Sequence, residues 1–383
     1  MKKVIYYIWY KIIGFPFRLL PLKNNRIVLE NYFGKGYGDN SKYIANELLK
    51  NLKKYDLIWL VKGNYYEDIP KEIKQIKRGT LSELYYISTA KIWIDNSRKP
   101  LGTTKRKGQF YIQTWHGCLA LKKIEYDAID KLSDDYKAVI KNDNKMIDLM
   151  LSNSNFCDEM YKRAFKYNGK ILKYGSPRND ILINRTSEFK EKIQKKYLIE
   201  DNNILLYAPT FRNSYEYNPY DIDFDLLKEK LEEKTGTNWK ILIKLHPNIS
   251  NNSKKYINSK DCIDASSYPD IQELICACDL LITDYSSTMF ETMIANKPVI
   301  IYANDIDSYA DERGFYFKFD ELPFPLTRNN KELLNYIENN NIKDIPNNYI
   351  EFNKKIGLKE TGQASKKVVE EILKEVESKW KKY

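Results

Sequence analysis

Histidine is nearly missing from this sequence of 383 residues: His116 and His246 are the two present. Proton chemistry near neutrality is thereby concentrated on two positions, since imidazole has the ordinary pKa closest to neutral. Cysteine is sparse and odd in number, at positions 118, 157, 262, 276 and 278. Their spacing excludes a disulfide-stapled scaffold and implies a reducing, cytosolic setting. Cys276-Ala-Cys278 lacks a second ligand pair, and no histidine–carboxylate cluster has metal-ligand spacing, so neither a metal nor a cofactor is expected. No uninterrupted run reaches the roughly 20 apolar residues of a membrane-spanning helix. A signal-peptide cleavage pattern is absent as well. Zinc-finger spacing, a ribonucleoprotein signature and a basic recognition helix are all lacking, which excludes nucleic acid as the expected partner.

What is present is a globular composition, 43% hydrophobic, on a chain long enough for two core-bearing domains. Lysine and arginine number 63 against 52 acids, a net charge of +11 that favours anionic partners such as phosphate-bearing substrates or anionic lipid. Basic character is concentrated at the start, where residues 1–23 carry five basic residues and no acid. Lys11 interrupts their apolar stretch and Pro16 ends it. A short, aromatic, cationic segment suits the headgroup region of an anionic membrane, at the cytoplasmic face. The alternative is a first helix docked onto the protein's own core.

Strands and helices alternate from there on. Arg26–Glu30, Asp56–Val61, Ile92–Asp95, Phe110–Trp115 and Met146–Ser152 read as strands, and Ser41–Leu52 and Asn153–Phe165 as helices. The glycine-rich Asn31–Asn40 has a Gly-x-Gly-x-Gly pattern instead of the dinucleotide fingerprint, and reads as a substrate-facing loop. Polar residues 184–199 separate a second series: strands at Ile204–Ala208, Lys240–Leu245, Leu280–Thr283 and Val299–Tyr302, with helices at Phe224–Glu233, Ile271–Cys278 and Ser286–Ala295. The pattern predicts an α/β protein of two doubly wound parallel-sheet domains with a cleft between them.

Both histidines stand where such sheets place chemistry, beyond the carboxyl end of an apolar strand. Asp284 ends another, and Ser286, Ser287 and Thr288 then open a helix whose free amides and hydroxyls suit a pyrophosphate. Ordinary serine capping is compatible with that role. Glu291, one turn on, is placed to receive ribose hydroxyls. Arg178 and Asn179 fall at the end of the first half, either near the cleft or in a plain turn bent by Pro177, with Asp180 capping the next helix. Arg313 is either a turn residue or a phosphate contact.

Seven motifs in order, Gln113-Thr-Trp-His-Gly117, Gly175-Ser-Pro-Arg-Asn-Asp180, Tyr207-Ala-Pro-Thr-Phe-Arg212, Lys244-Leu-His-Pro247, Ile282-Thr-Asp-Tyr-Ser-Ser287, Arg313-Gly-Phe-Tyr316 and Gly362-Gln-Ala-Ser365, resemble the CDP-glycerol glycerophosphotransferases of wall teichoic acid synthesis. The resemblance covers roughly residues 110 to 365. It implies the GT-B fold, with residues 1–23 as a membrane-associating segment, 24–185 as a Rossmann-like acceptor-side domain and 186–383 as a CDP-donor-binding domain with a terminal helix. It also implies transfer of glycerol phosphate from CDP-glycerol to an undecaprenyl-linked saccharide acceptor of teichoic acid or capsule synthesis, without a cofactor. By the same resemblance His116 and His246 are the catalytic pair. Arg212, Lys244, Asp284, Ser286, Ser287, Thr288 and Glu291 belong to the donor site. Cys118 and Leu119 replace an expected Thr-Pro, Ser176 an expected tyrosine, and Glu291 and Thr292 an expected Asp-Tyr. Transfer from CDP-ribitol, or a nucleotide-sugar glycosyltransferase on the same two-domain plan, are the alternatives.

The chemistry fits from below. An attacking alcohol must lose a proton, and charge grows on the oxygen that departs with CMP. His116 is expected as the base because it lies in the half that carries the membrane-facing segment.

Overall fold

The computed structural model describes residues 2–50, 55–117, 119–184, 187–210, 212, 221–245, 259, 261–306 and 314–377. The chain divides into two compact units, one of Met1–Cys118, Ile124–Asp180 and Lys359–Tyr383, the other of Leu119–Lys123 and Ile181–Leu358.

The first unit is built on a seven-stranded sheet of order β3-β2-β1-β4-β5-β6-β7. Its strands are β1 (Lys23–Glu30), β2 (Asp56–Val61), β3 (Lys74–Lys77), β4 (Ala90–Asp95), β5 (Phe110–Gln113), β6 (Leu149–Leu151) and β7 (Lys170–Leu172). Every pairing is parallel, and the strand order reverses between β1 and β4. β1, β2 and β4 are apolar along their buried lengths, as a sheet covered on both faces requires.

The second unit holds six parallel strands in the order β10-β9-β8-β11-β12-β13. They are β8 (Asn203–Tyr207), β9 (Trp239–Ile243), β10 (Cys262–Asp264), β11 (Leu280–Thr283), β12 (Val299–Tyr302) and β13 (Leu326–Thr327), with the reversal between β8 and β11. The expected two-domain α/β plan is therefore the observed one. The strands without a sequence expectation are β3, β7, β10 and β13, which are the four sheet edges. Edge strands are short and half-solvated, so they leave no apolar run to read. Residues 184–199, expected as a separator, contain the helix Glu188–Tyr197, which buries Ile193 and pairs Lys190 with Asp279 and Lys192 with Glu273.

The terminal helix Ala364–Glu377 departs from expectation. Expected with the second domain, it belongs to the first unit, where Val368, Val369 and Ile372 join the core formed with Ile44, Ala45 and Leu48 of the helix Asp39–Leu49. Its apolar stripe at 368, 369, 372, 373 and 376 has helical periodicity, which dictates that one face is buried but not against which sheet. Asp180 decides the docking: its carboxylate accepts the amides of Ala364 and Ser365, each at 2.8 Å. Asp180 thus caps a helix distant in sequence, not the next one.

The N-terminal segment runs as a helix, Lys2–Tyr7, a π-helical stretch, Ile8–Ile13, and a 3-10 turn, Pro16–Leu19. Tyr10 is buried and donates to Glu83 Oε1 at 2.8 Å, which fits the docked-helix alternative at that residue. Its neighbours point outward: Val4, Ile5, Ile12, Phe15 and Leu19 are exposed, Leu19 by 73%. Among the described residues no helix is long and apolar enough to cross a membrane.

Candidate active site

In the first unit, β5 ends at Gln113, and the chain then turns sharply through Trp115, whose φ of 55° is left-handed. A bulky residue adopts that conformation only under strain of about 1–3 kcal/mol, which its surroundings must impose. They do so with hydrogen bonds from Trp115 N to Gln113 Oε1 at 2.9 Å and from Asn40 Nδ2 to Trp115 O at 3.1 Å. Behind the indole lies the Arg98 guanidinium, 5.5 Å from the ring and paired with Glu125 and Asp143. The turn delivers His116 stacked on Trp115 at 4.3 Å and tilted against Tyr32 at 5.3 Å.

His116 Nδ1 lies 2.7 Å from the carbonyl oxygen of Asn96. A carbonyl only accepts, so Nδ1 carries the proton and the basic lone pair sits on Nε2. Desolvation pulls the imidazole pKa below its ordinary value, outweighing the Asn96 hydrogen bond and nearby Asp39, which push the other way. The neutral, basic form is therefore the one held in place.

Arg178 belongs to this side of the molecule. Its Nη1 donates to Asp39 Oδ2 at 2.6 Å, its backbone amide donates to Asn40 Oδ1 at 3.1 Å, and the Tyr32 hydroxyl reaches the same Asp39 oxygen at 3.0 Å. Asn179 turns away and donates to Glu360 Oε1 at 2.7 Å, alongside Asn153 at 3.0 Å. Burial raises the Glu360 carboxyl to about 7. Gly175 is required here: its φ is 103°, and a Cβ would stand 2.2 Å from Glu360 Oε2.

In the second unit the ends of β8 and β11 are joined by Asp284. It accepts the Thr210 amide at 2.8 Å and hydroxyl at 2.6 Å, and pairs with Arg212 Nη2 at 2.8 Å. Arg212 also binds Asp305 through Nε at 2.6 Å and stacks over Tyr285 at 4.8 Å. Burial opposes ionisation of Asp305, but the Arg212 hydrogen bond and charge overcome it and hold the pKa below the ordinary value. The structure thus brings Arg212 and Asp284 together as expected, with two acids facing the arginine.

Ser286, Ser287 and Thr288 are half-buried at the start of the helix Thr288–Ile294. Ser286 Oγ lies 2.8 Å from Thr288 Oγ1 and accepts the Thr288 amide at 3.3 Å, the local capping that was compatible with an anion role. Glu291 is buried and accepts from Gln272 Nε2 at 2.9 Å. Thr292 is also buried, its hydroxyl bonded to Thr288 O at 3.0 Å within the helix. Lys244, expected to add positive charge at the donor, instead gives Nζ to the carbonyls of Ser266 at 2.7 Å and Tyr268 at 2.5 Å. Burial lowers its pKa to about 8. His246, Arg313 and Cys118 lie outside the described residues.

Asn96, Asn31, Tyr32, Asp39, Thr210 and Asp305 were not singled out from sequence. Asn96 had a usable signal, because it directly follows an apolar strand, and three of the others lie in the glycine-rich loop. Thr210 and Asp305 become meaningful only through Asp284 and Arg212.

Against known proteins, the family described as CDP-glycerol:poly(glycerophosphate) glycerophosphotransferase matches residues 14–374. A teichoic acid poly(glycerol phosphate) polymerase of Bacillus spizizenii is 33% identical, over 96% of this chain and 96% of its own length. The teichoic acid glycerol-phosphate transferase of Staphylococcus aureus is 32% identical, over 93% of this chain and 94% of its own. Among solved structures, the wall teichoic acid polymerase TagF superposes with a TM-score of 0.83 at 28% identity, over 98% of this chain and 93% of that one.

Proposed function

This chain belongs to the CDP-glycerol:poly(glycerophosphate) glycerophosphotransferase family and is a CDP-glycerol glycerophosphotransferase, and we propose that His116 is its base and a lipid-linked teichoic acid precursor its acceptor. The observation that carries the assignment is the His116 imidazole, held neutral with its proton on Nδ1 against the Asn96 carbonyl. Nε2 takes the proton of the acceptor hydroxyl as its oxygen bonds to the glycerol-bearing phosphorus. The bond from that phosphorus to the bridging oxygen breaks, and CMP leaves with the electron pair. His246, from its place after β9 in the sequence, is assigned to the departing oxygen. Arg212 and the hydroxyls of Ser286, Ser287 and Thr288 are assigned to the donor pyrophosphate, with Glu291 at the ribose.

CMP release measured with CDP-glycerol, CDP-ribitol and a UDP-sugar, each with and without a lipid-linked disaccharide, tests this reading. Acceptor-dependent release from CDP-glycerol is expected, unaffected by chelator. Turnover of the UDP-sugar alone would overturn it. Nothing in the structure favours ribitol, since Leu119 and Thr292, two of the departures from the family pattern, are buried packing residues.

The membrane proposal rests on the first twenty residues, where Tyr10 is docked while exposed Ile5, Ile12 and Leu19 stand among basic residues. That combination suits the headgroup region of an anionic bilayer on the cytoplasmic side. Replacing the three by serine should weaken sedimentation with anionic vesicles about tenfold or more, leaving donor binding intact. Unchanged vesicle binding would overturn this assignment.

A further inference from the structure

Glu30-Asn31 and Asp95-Asn96 repeat one pattern, an acid and then an asparagine, at the carboxyl ends of the two strands flanking the reversal of strand order. All four residues are buried. The acids share one lysine: Lys99 Nζ is 2.9 Å from Asp95 Oδ2 and 3.3 Å from Glu30 Oε2, while Arg78 Nη1 takes Glu30 Oε1 at 2.8 Å. The asparagines hold each other. Asn96 Nδ2 donates to Asn31 Oδ1 at 2.8 Å, Asn96 Oδ1 accepts the Tyr32 amide at 2.9 Å, and Asn31 Nδ2 donates to Lys35 O at 2.8 Å. With its side chain fixed on both sides, Asn96 presents its main-chain carbonyl to His116 Nδ1.

We propose that this paired acid–asparagine clasp is the positioning device of His116, with Asn96 as its positioning residue. The inference rests on the reading of His116 as the base. Buried ion pairs anchor each strand end, the asparagine bond ties the two ends together, and the carbonyl thus located selects the tautomer and ring orientation. The same clasp holds Tyr32, whose ring flanks the imidazole. Without the clasp the carbonyl is free to tip, and a base misplaced by about 1 Å can lose on the order of a hundredfold in rate.

Asn96→Ala and Asn31→Ala, singly and together, are to be compared with His116→Ala in CMP release. Each single asparagine variant should lose about 10- to 100-fold in kcat with the CDP-glycerol KM unchanged. Because both remove one bond, the double variant should fall little further than either single. The chain has two histidines, so nitrogen-15 imidazole spectra are readable, and a merely structural role would not alter the tautomer. The wild type should show protonated Nδ1 at His116, and Asn96→Ala a mixture. Wild-type kcat in folded Asn96→Ala, or a KM change with kcat and tautomer unmoved, overturns the clasp. If Asn96→Ala fails to fold, Asn31→Ala removes the same bond from the other side and decides the matter. Loss of turnover in His116→Ala with wild-type turnover in Asn96→Ala rejects the clasp alone. Full turnover in His116→Ala rejects the base and the clasp together.

Discussion

At the reversal of strand order the first unit seals its charges away: Glu30, Asp95 and Lys99 are buried beneath an imidazole carried by the adjoining strand. The second unit uses the same point differently. There Arg212 bridges Asp284 and Asp305 beside half-buried hydroxyls, and the guanidinium itself is the chemical group presented. One charge cluster serves as foundation and the other as ligand-facing surface. A shared sheet plan thus supports proton transfer in one unit and anion binding in the other, depending on what stands above the strand ends.

His116→Ala should make the largest difference, lowering CMP release by about a hundredfold or more while calorimetric affinity for CDP-glycerol stays near wild type. Lost affinity with preserved turnover would erase the division of labour. Because His116 is held below its ordinary pKa, the acid limb of the rate profile, where the base becomes protonated, should lie below pH 6.5, the unperturbed histidine value. A limb above that value would contradict the desolvated site.

Glu360 sharpens the contrast through stability. Its folded carboxyl is raised from 4.5 to about 7 by burial, so the folded chain keeps a proton that the unfolded chain has released. Stability from this group is therefore full below about pH 4.5 and is lost as pH rises to about 7, by up to about 3 kcal/mol. Glu360→Gln should flatten that window in denaturant titrations. An unaltered pH slope would place the ionisation elsewhere.

In the second unit, Arg212→Ala should weaken donor binding by about 10- to 100-fold, the scale of a lost charge-assisted contact, without the specific loss of kcat seen at His116. Titration calorimetry checks it, and wild-type affinity would return Arg212 to a purely structural pair. Lys244→Met should have the smallest effect. It leaves two buried carbonyls without their donor, costing about 1–3 kcal/mol of stability, and should barely alter donor affinity. A large affinity loss there would restore the phosphate role expected from sequence.

Much of this site is local and therefore legible. His116, Asp284 and Ser286 each follow an apolar run, and a strand's end is written in the residues that form it. Asn96 follows such a run as well, yet its importance lies in a bond to Asn31, 65 positions away, which no periodicity announces. Lys244 shows the reverse error: a lysine after a strand reads as a free cation until the carbonyls of Ser266 and Tyr268 are seen to surround it.

By itself the sequence determined that the chain is two parallel α/β layers, that its near-neutral chemistry rests on two histidines, and that its first residues are cationic and apolar. Periodicity, composition and motif order are properties of the chain, so they survive without coordinates. The tertiary structure alone decided that the last helix completes the first unit, that the sheet edges are β3, β7, β10 and β13, and that Arg212 answers to two acids. It also chose the protonated nitrogen of His116. Each of these depends on which residues distant in sequence are brought within hydrogen-bonding or packing distance. Burial then turns such proximity into pairing, because a polar group withdrawn from water must find its partner inside the protein.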